Sequence, residues 1–195
     1  MTSDEAWDDR DVVQAVLDGQ AMAFEKLVNR YQQPMFRVAL TRLGQTHAAD
    51  EVVQETFLAA YRYLASYKSE YSFKTWLWTI LLNQCKLYGA KSGRERKHVD
   101  EGTSSREQVE ALESPEGCPD EQAELGDELL LLSQWLRQLP ETEADALRLR
   151  YFAEMKFHEI AETQQCSLAT AKNRVRRGLS QLSQRVEERE TLSRG

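Results

Sequence analysis

Few of the residues that build catalytic or covalently stapled proteins occur in this sequence. Its three cysteines, Cys85, Cys118 and Cys166, stand far apart, are odd in number and form no CxxC pair. A disulfide framework and a zinc site are therefore not expected. The three histidines, His47, His98 and His158, are equally scattered, so neither a metal centre nor a cofactor is expected. No glycine-rich phosphate loop and no nucleophile-and-base grouping appears, and an enzyme is not the expectation. No apolar run approaches the roughly eighteen residues of a membrane span. The N-terminal MTSDEAWDDRD is acidic, without the basic-then-apolar order of a signal peptide. Cytoplasmic location without membrane insertion is the default. Sustained apolar/polar alternation and Asn-Gly or Asp-Gly hairpin signals are also missing, which leaves an all-α fold.

The chain does have enough apolar material to pack. At 195 residues and 41% hydrophobic content, it is long enough for one ordinary domain or two small ones. The net charge of −7 is unevenly distributed. Residues 1–97 carry 13 Lys and Arg against 12 Asp and Glu, residues 98–126 carry 1 against 9, and residues 127–195 carry 11 against 11. The middle segment, HVDEGTSSREQVEALESPEGCPDEQAELG, adds Gly, Pro and Ser to its charge and holds few aliphatics. That is linker composition, extended by self-repulsion, with a short helix conceivable around Arg106–Leu112. Two small helical domains are expected, 8–97 and 127–190, joined by an acidic flexible linker at 98–126.

Helical spacing recurs on both sides of the linker. Phe24, Leu27, Val28 and Tyr31 are followed by Phe36, Ala39, Leu40 and Leu43, with Pro34 expected to kink or split the run and Gly44 to cap it. Val52, Val53, Phe57, Ala60, Tyr61 and Leu64 mark a second helix. A third starts from Ser72 as N-cap and carries Trp76, Leu77, Ile80, Leu81 and Leu87. Beyond the linker, helices are expected near 127–138, 141–152, 156–163 and 168–187, with a break at Pro140.

The last of these helices concentrates cations. SLATAKNRVRRGLSQL, residues 167–182, contains Lys172, Arg174, Arg176 and Arg177 and no acid. At about 100° per residue, Leu168, Ala171, Val175, Gly178, Leu179, Leu182 and Val186 fall on one apolar stripe. Thr170, Asn173 and Arg177 fall opposite it, Arg176 beside them, and Lys172 and Arg174 on the shoulders. A solvated helix face is the plain reading of such a run. The preceding short helix KFHEIAE and the tight TQQC connection turn the pair into a helix-turn-helix, whose second helix can enter a DNA major groove. There Arg pairs bidentately with guanine and Asn with adenine, while shoulder cations suit phosphates. The turn position at Gln165 favours a left-handed backbone, where glycine is more usual.

Two segments together carry a family resemblance. DALRLRYFAEMKFHEIAETQQCSLATAKNRVRRGLSQL, residues 145–182, resembles the C-terminal, −35-binding domain of bacterial sigma factors. Residues 23–87, with ADEVVQETF followed by FKTWL, resemble their N-terminal, −10-binding domain. The order and spacing of the two are similar to the extracytoplasmic-function (ECF) group of the sigma-70 family. The resemblance implies an RNA polymerase sigma factor that binds core enzyme, reads the −10 and −35 elements and helps to melt promoter DNA.

The resemblance also implies roles. Asp50, Glu51, Gln54 and Glu55 would dock the clamp helices of the largest catalytic subunit of core RNA polymerase, while Val53 and Phe57 face the core. Lys68, Ser69, Tyr71, Lys74, Trp78, Asn83 and Lys86 would hold and melt the −10 strand, since unpaired bases need stacking and cationic contacts. Phe73, Trp76 and Leu77 belong to the core on this reading, and Lys91, Arg94, Arg96 and Lys97 form a basic exit. Thr170, Lys172, Asn173, Arg174, Arg176 and Arg177 would contact the −35 element. Leu147, Leu149 and Tyr151 are divided between core and the flap of the second-largest polymerase subunit. The linker would occupy the RNA-exit path. Regulation is expected from outside, by an anti-sigma factor, because no added sensory domain is expected. The alternative is a two-domain helix-turn-helix regulator that acts without being a polymerase subunit. It would need a receiver or ligand domain in the first half, and the helical, aromatic-rich first half disfavours one. A helical adaptor that binds only proteins would leave the basic ridge without a purpose.

Overall fold

The structure is a computed structural model and describes residues 8–68, 70, 72–100 and 129–193. Among the described residues, four α-helices precede the linker: α1 (Asp9–Leu17), α2 (Phe24–Leu43), α3 (Thr46–Arg62) and α4 (Phe73–Asp100). Four follow it: α5 (129–136), α6 (Glu141–Tyr151), α7 (Phe157–Thr163) and α8 (Leu168–Ser193). No strand occurs among the described residues. The expected acidic linker lies mostly outside them.

In the first half, α2, α3 and α4 pack side by side and α1 closes one end. Their heptad-like spacing puts Leu27, Met35, Val38, Val52, Ala60, Leu77 and Leu81 in one core. The α2 helix runs unbroken through Pro34, so the expected split does not occur. Tyr31, Met35 and Val38 are buried on both sides of the proline, and this packing offsets the lost backbone bond. Gly44 ends α2 in the left-handed region (φ +75°) and donates its N–H to Leu40 O at 2.7 Å. Asp9 ties α1 down by accepting from both Arg30 and Tyr31. Burial, then the Asp9 contact, pushes the Tyr31 hydroxyl above its ordinary range.

In the second half, α6 is the centre and α8 lies along it. Gly178 permits a close crossing, since a Cβ there would stand 2.8 Å from Leu147 Cδ1. Gln181 Nε2 donates to Glu143 Oε2 at 2.6 Å across the same crossing. Ser167 caps α8, its Oγ accepting from Thr170 N at 3.1 Å. Gln165, in the α7–α8 turn, has φ +49°, the left-handed backbone that the turn demands.

The two halves also pack on each other: α7 lies across α4, and α6 abuts the end of α2. This is where the structure adds most to the sequence. Arg148, only 2% exposed, donates to Thr41 O at 2.9 Å, Thr41 Oγ1 at 3.3 Å and Asp145 Oδ1 at 3.0 Å. Arg42 pairs with Asp145 and Glu141. Desolvation by burial lowers the Arg148 guanidinium to about 10. Buried charges of this kind persist only when paired and hydrogen-bonded, and here the partners come from both halves.

Candidate nucleic-acid interface

The helix-turn-helix is complete. Ile160, Ala161, Ala171 and Val175 are buried and anchor α7 to α8. Lys172, Asn173, Arg176 and Arg177 are exposed on the outward side of α8, and Thr170 and Arg174 are half-buried beside them. Arg174 Nη1 donates to Gln164 Oε1 at 2.9 Å, which braces the turn, and Arg176 Nη2 lies 3.5 Å from Asn173 Oδ1. The six candidate −35 residues thus share one side of one helix. The apolar stripe is narrower than the sequence suggested. Leu168 and Leu179, at its edge, are 47% and 41% exposed. The Val186 side chain lies outside the described set.

On α3, Asp50, Glu51, Gln54 and Glu55 are all exposed, and Val53 and Phe57 are buried. The expected polar face is a real one. Burial raises the Asp50 carboxyl above its usual value, and His47 works against that shift. Sequence reasoning missed Leu58, which is 57% exposed. By helical spacing it follows Glu51, Gln54 and Glu55 one turn on along the same face. Tyr61, 49% exposed and edge-on to Phe24 at 5.2 Å, extends the apolar patch. The signal was available: an apolar residue in line with a polar helix face.

The candidate −10 surface is less uniform. Lys68, Asn83 and Lys86 are exposed and Lys74 is half-buried. Ser69 and Tyr71 lie outside the described residues, as do the side chains of Arg94, Arg96 and Lys97. Trp78 requires correction. It is 0% exposed and packs in the core, so it cannot line a strand path in this arrangement. Tyr67, Phe73 and Trp76 form an aromatic cluster under the loop, with centroids 5.4–5.6 Å apart. Phe73 and Leu77 are buried as expected, while Trp76 is half-buried. Of the three residues divided between core and flap, Leu147 and Leu149 are buried and Tyr151 is 58% exposed.

A basic recognition helix on a braced helix-turn-helix, joined to a helical domain with an acidic face, defines a two-part transcription protein. Residues 27–95 match the model of sigma-70 region 2 and residues 129–182 that of sigma-70 region 4. The chain belongs to the sigma-70 family, in its ECF group, and is an RNA polymerase sigma factor directing promoter-specific transcription. It is 32% identical to the RNA polymerase sigma-H factor of Pseudomonas aeruginosa, over 86% of this chain and 88% of that one. It is 30% identical to the ECF RNA polymerase sigma-E factor of Haemophilus influenzae, over 92% and 95%. The fold is similar to that of CnrH, solved in complex with the cytosolic domain of CnrY. The TM-score is 0.70 at 22% identity, over 92% of this chain and 97% of that one. It is also similar to the sigma factor RpoE of Bartonella quintana, solved with the anti-sigma factor NepR. There the TM-score is 0.63 at 22% identity, over 84% and 96%. No described helix is long and apolar enough to cross a membrane.

Proposed function

We propose that this sigma factor reads the −35 element with α8, reads and helps to melt the −10 element along α4 and the loop before it, and docks core RNA polymerase through α3. The observation that carries this reading is the outward row of α8. It presents Lys172, Asn173, Arg176 and Arg177 to solvent while Ala171 and Val175 hold the helix from behind. Arg and Asn in that row are suited to base edges, and Lys172 and Arg174 to phosphates. The α3 face, with Leu58 following Glu51, Gln54 and Glu55, suits a cationic helical partner with an apolar notch, and the clamp helices are the proposed occupant. Flap contact falls to the exposed Tyr151.

The protein acts in the cytoplasm beside the polymerase and contributes specificity without catalysis of its own. An anti-sigma factor is its proposed external regulator, as two structures of similar fold were solved with partners. Run-off transcription over a pool of genomic fragments tests the reading. Added core polymerase gives promoter-specific transcripts with this protein, and the protein alone binds the same fragments weakly. Arg177→Ala relaxes the −35 preference, each lost bidentate contact costing about 1–3 kcal/mol. Unchanged −35 preference in Arg177→Ala removes it from base reading, and tight specific binding without polymerase overturns the sigma mechanism.

A further inference from the structure

The beginning of the strand path assigned to α4 is held from the side of α1. The chain leaves α3 through the short 3-10 turn Leu64–Ser66 and becomes extended at Tyr67 (φ −65°, ψ 130°). Tyr67 N–H donates to Leu64 O at 3.0 Å, and Ser66 N–H to Tyr63 O at 2.9 Å. Lys68 follows, exposed, and Lys74 stands half-buried in the first turn of α4. The Tyr67 ring bridges these two places: it meets Phe73 edge-on at 5.5 Å and Trp76 at 5.4 Å. One aromatic side chain therefore ties the end of the turn to the beginning of α4.

Helix α1 packs against this turn and against α4. Two of its consecutive residues each hold a tyrosine hydroxyl. Asp9 accepts from Tyr31, whose ring lies 6.3 Å from that of Phe73. Arg10 hydrogen-bonds the Tyr67 hydroxyl; burial raises that hydroxyl above its ordinary range, and the Arg10 charge works against the shift. Both tyrosine rings thus converge on the buried Phe73, and both hydroxyls are held by α1. Val12 and Val13 are buried and anchor α1 in the core, and the exposed Arg10 adds little to that anchoring.

We propose that α1 braces the mouth of the −10 strand path, with Asp9 and Arg10 as positioning residues that act through Tyr31 and Tyr67 on Phe73. The effect on promoter melting rests on the −10 assignment made above, whereas the effect on the turn does not. A surface that must stack and hold an unpaired strand gains when its side chains are ordered beforehand, because their ordering no longer opposes binding. With Tyr67 held by its ring and by its hydroxyl, Lys68 leaves the turn in one fixed direction.

Full-length Arg10→Ala, Tyr67→Phe and the double variant test the brace. Tyr67→Phe keeps the ring and removes only the hydroxyl. Hydrogen exchange at the Ser66 and Tyr67 amides reads the turn in the free protein. It is expected to quicken about two- to tenfold in each single variant, the range of one lost hydrogen bond. With core polymerase added, permanganate reactivity of unpaired thymines gives the rate of promoter opening, expected to fall about two- to tenfold in Arg10→Ala. The thermal midpoint and the binding of a −35 duplex are expected to stay close to the parent values, which a merely unfolded variant would not allow. The double variant is expected to open the promoter no more slowly than Tyr67→Phe alone. An equal slowing by Arg10→Ala in the Tyr67→Phe background makes Arg10 a direct phosphate contact and overturns the positioning role. Exchange at the parent rate in both single variants overturns the brace. A variant carrying Lys68→Ala and Lys74→Ala separates this inference from the −10 assignment. If that variant slows opening and Arg10→Ala does not, the inference falls and the −10 assignment stands. If exchange quickens in Arg10→Ala and neither protein slows opening, the −10 assignment of this surface falls and takes the role in melting with it.

Discussion

Two glycines in helices make a paired test of the crossing that holds the recognition helix. Glycine inside a helix is about 1 kcal/mol less favourable than alanine, because of its backbone freedom. On that ground alone both Gly89→Ala in α4 and Gly178→Ala in α8 stabilise. Their surroundings differ, however. A Cβ at Gly89 meets nothing within 4 Å. A Cβ at Gly178 stands 2.8 Å from Leu147 Cδ1, 3.0 Å from Leu147 Cγ and 3.5 Å from Glu143 O. Leu147 is 3% exposed and has little room to withdraw, and overpacking of this kind costs about 1–3 kcal/mol. Gly89→Ala is therefore expected to gain up to about 1 kcal/mol, and Gly178→Ala to lose up to about 2 kcal/mol after its propensity gain is subtracted. In a chain of this size 1 kcal/mol moves the midpoint by about 2–4 °C, so the two variants should separate clearly in a thermal melt followed by circular dichroism. Because α8 must shift against α6, Gly178→Ala should also weaken −35 binding while Gly89→Ala leaves it unchanged. A Gly178→Ala protein as stable as Gly89→Ala refutes the packing argument. So does one whose −35 binding is intact despite the lost stability.

Three further outcomes follow from the structure. Leu58→Glu puts a charge on the α3 face; it should lower affinity for core polymerase about tenfold or more and leave stability within about 0.5 kcal/mol, and an unchanged affinity in competition binding removes Leu58 from the docking surface. Gln165→Gly relieves the left-handed backbone at φ +49° and should stabilise by up to about 1 kcal/mol, read as a higher urea midpoint; a lower midpoint contradicts it. Burial pushes the Cys85 thiol from 9.0 up to about 11. As the thiolate is the nucleophile, alkylation should keep rising tenfold per pH unit from about pH 8 to 10, and a plateau near pH 9 contradicts the buried site. The same shift sets a stability sign: an acid held protonated in the fold contributes below its unfolded value, and the contribution is lost as pH rises through 9 towards 11.

What could be read in the sequence was whatever one helix dictates by itself. Val53 and Phe57 buried and Glu51, Gln54 and Glu55 exposed follow from a period of 3.6 alone, as do the Ser167 cap and the left-handed turn at Gln165. Trp78 was misplaced because α4 buries two sides. Phe73, Leu77 and Leu81 are buried on one side, while Trp78 falls by helical spacing on the stripe of Leu82, which lines a cleft against the second half. A surface covered by a partner far along the chain leaves no mark in the local pattern. The same holds for the ion network, whose Arg42 and Asp145 are 103 residues apart. Asp145 and Arg148 look like ordinary solvated residues of a short helix until α2 is placed against them. Leu168 and Leu179 erred the other way: the period put them on the stripe, and no described element covers them fully.

The chemistry of the contact between the halves bears on why it is ionic. A buried ion pair is seldom a more stabilising choice than a well-packed apolar contact of the same volume, so stability alone does not account for Arg42, Asp145 and Arg148 at this place. The two kinds of interface differ most when they are pulled apart. Separated apolar faces present contiguous hydrophobic patches to water, a liability for association with other surfaces. Separated guanidinium and carboxylate groups regain their hydration, and that recovered solvation offsets much of the Coulomb attraction lost. Geometry ties the closed form together as well: Arg148, held by Asp145 of its own helix, reaches across to Thr41 O of α2. On the proposed function, in which α8 and α4 meet two separate DNA elements, the halves have to close in one defined way and part without exposing a core. An ionic contact meets both requirements.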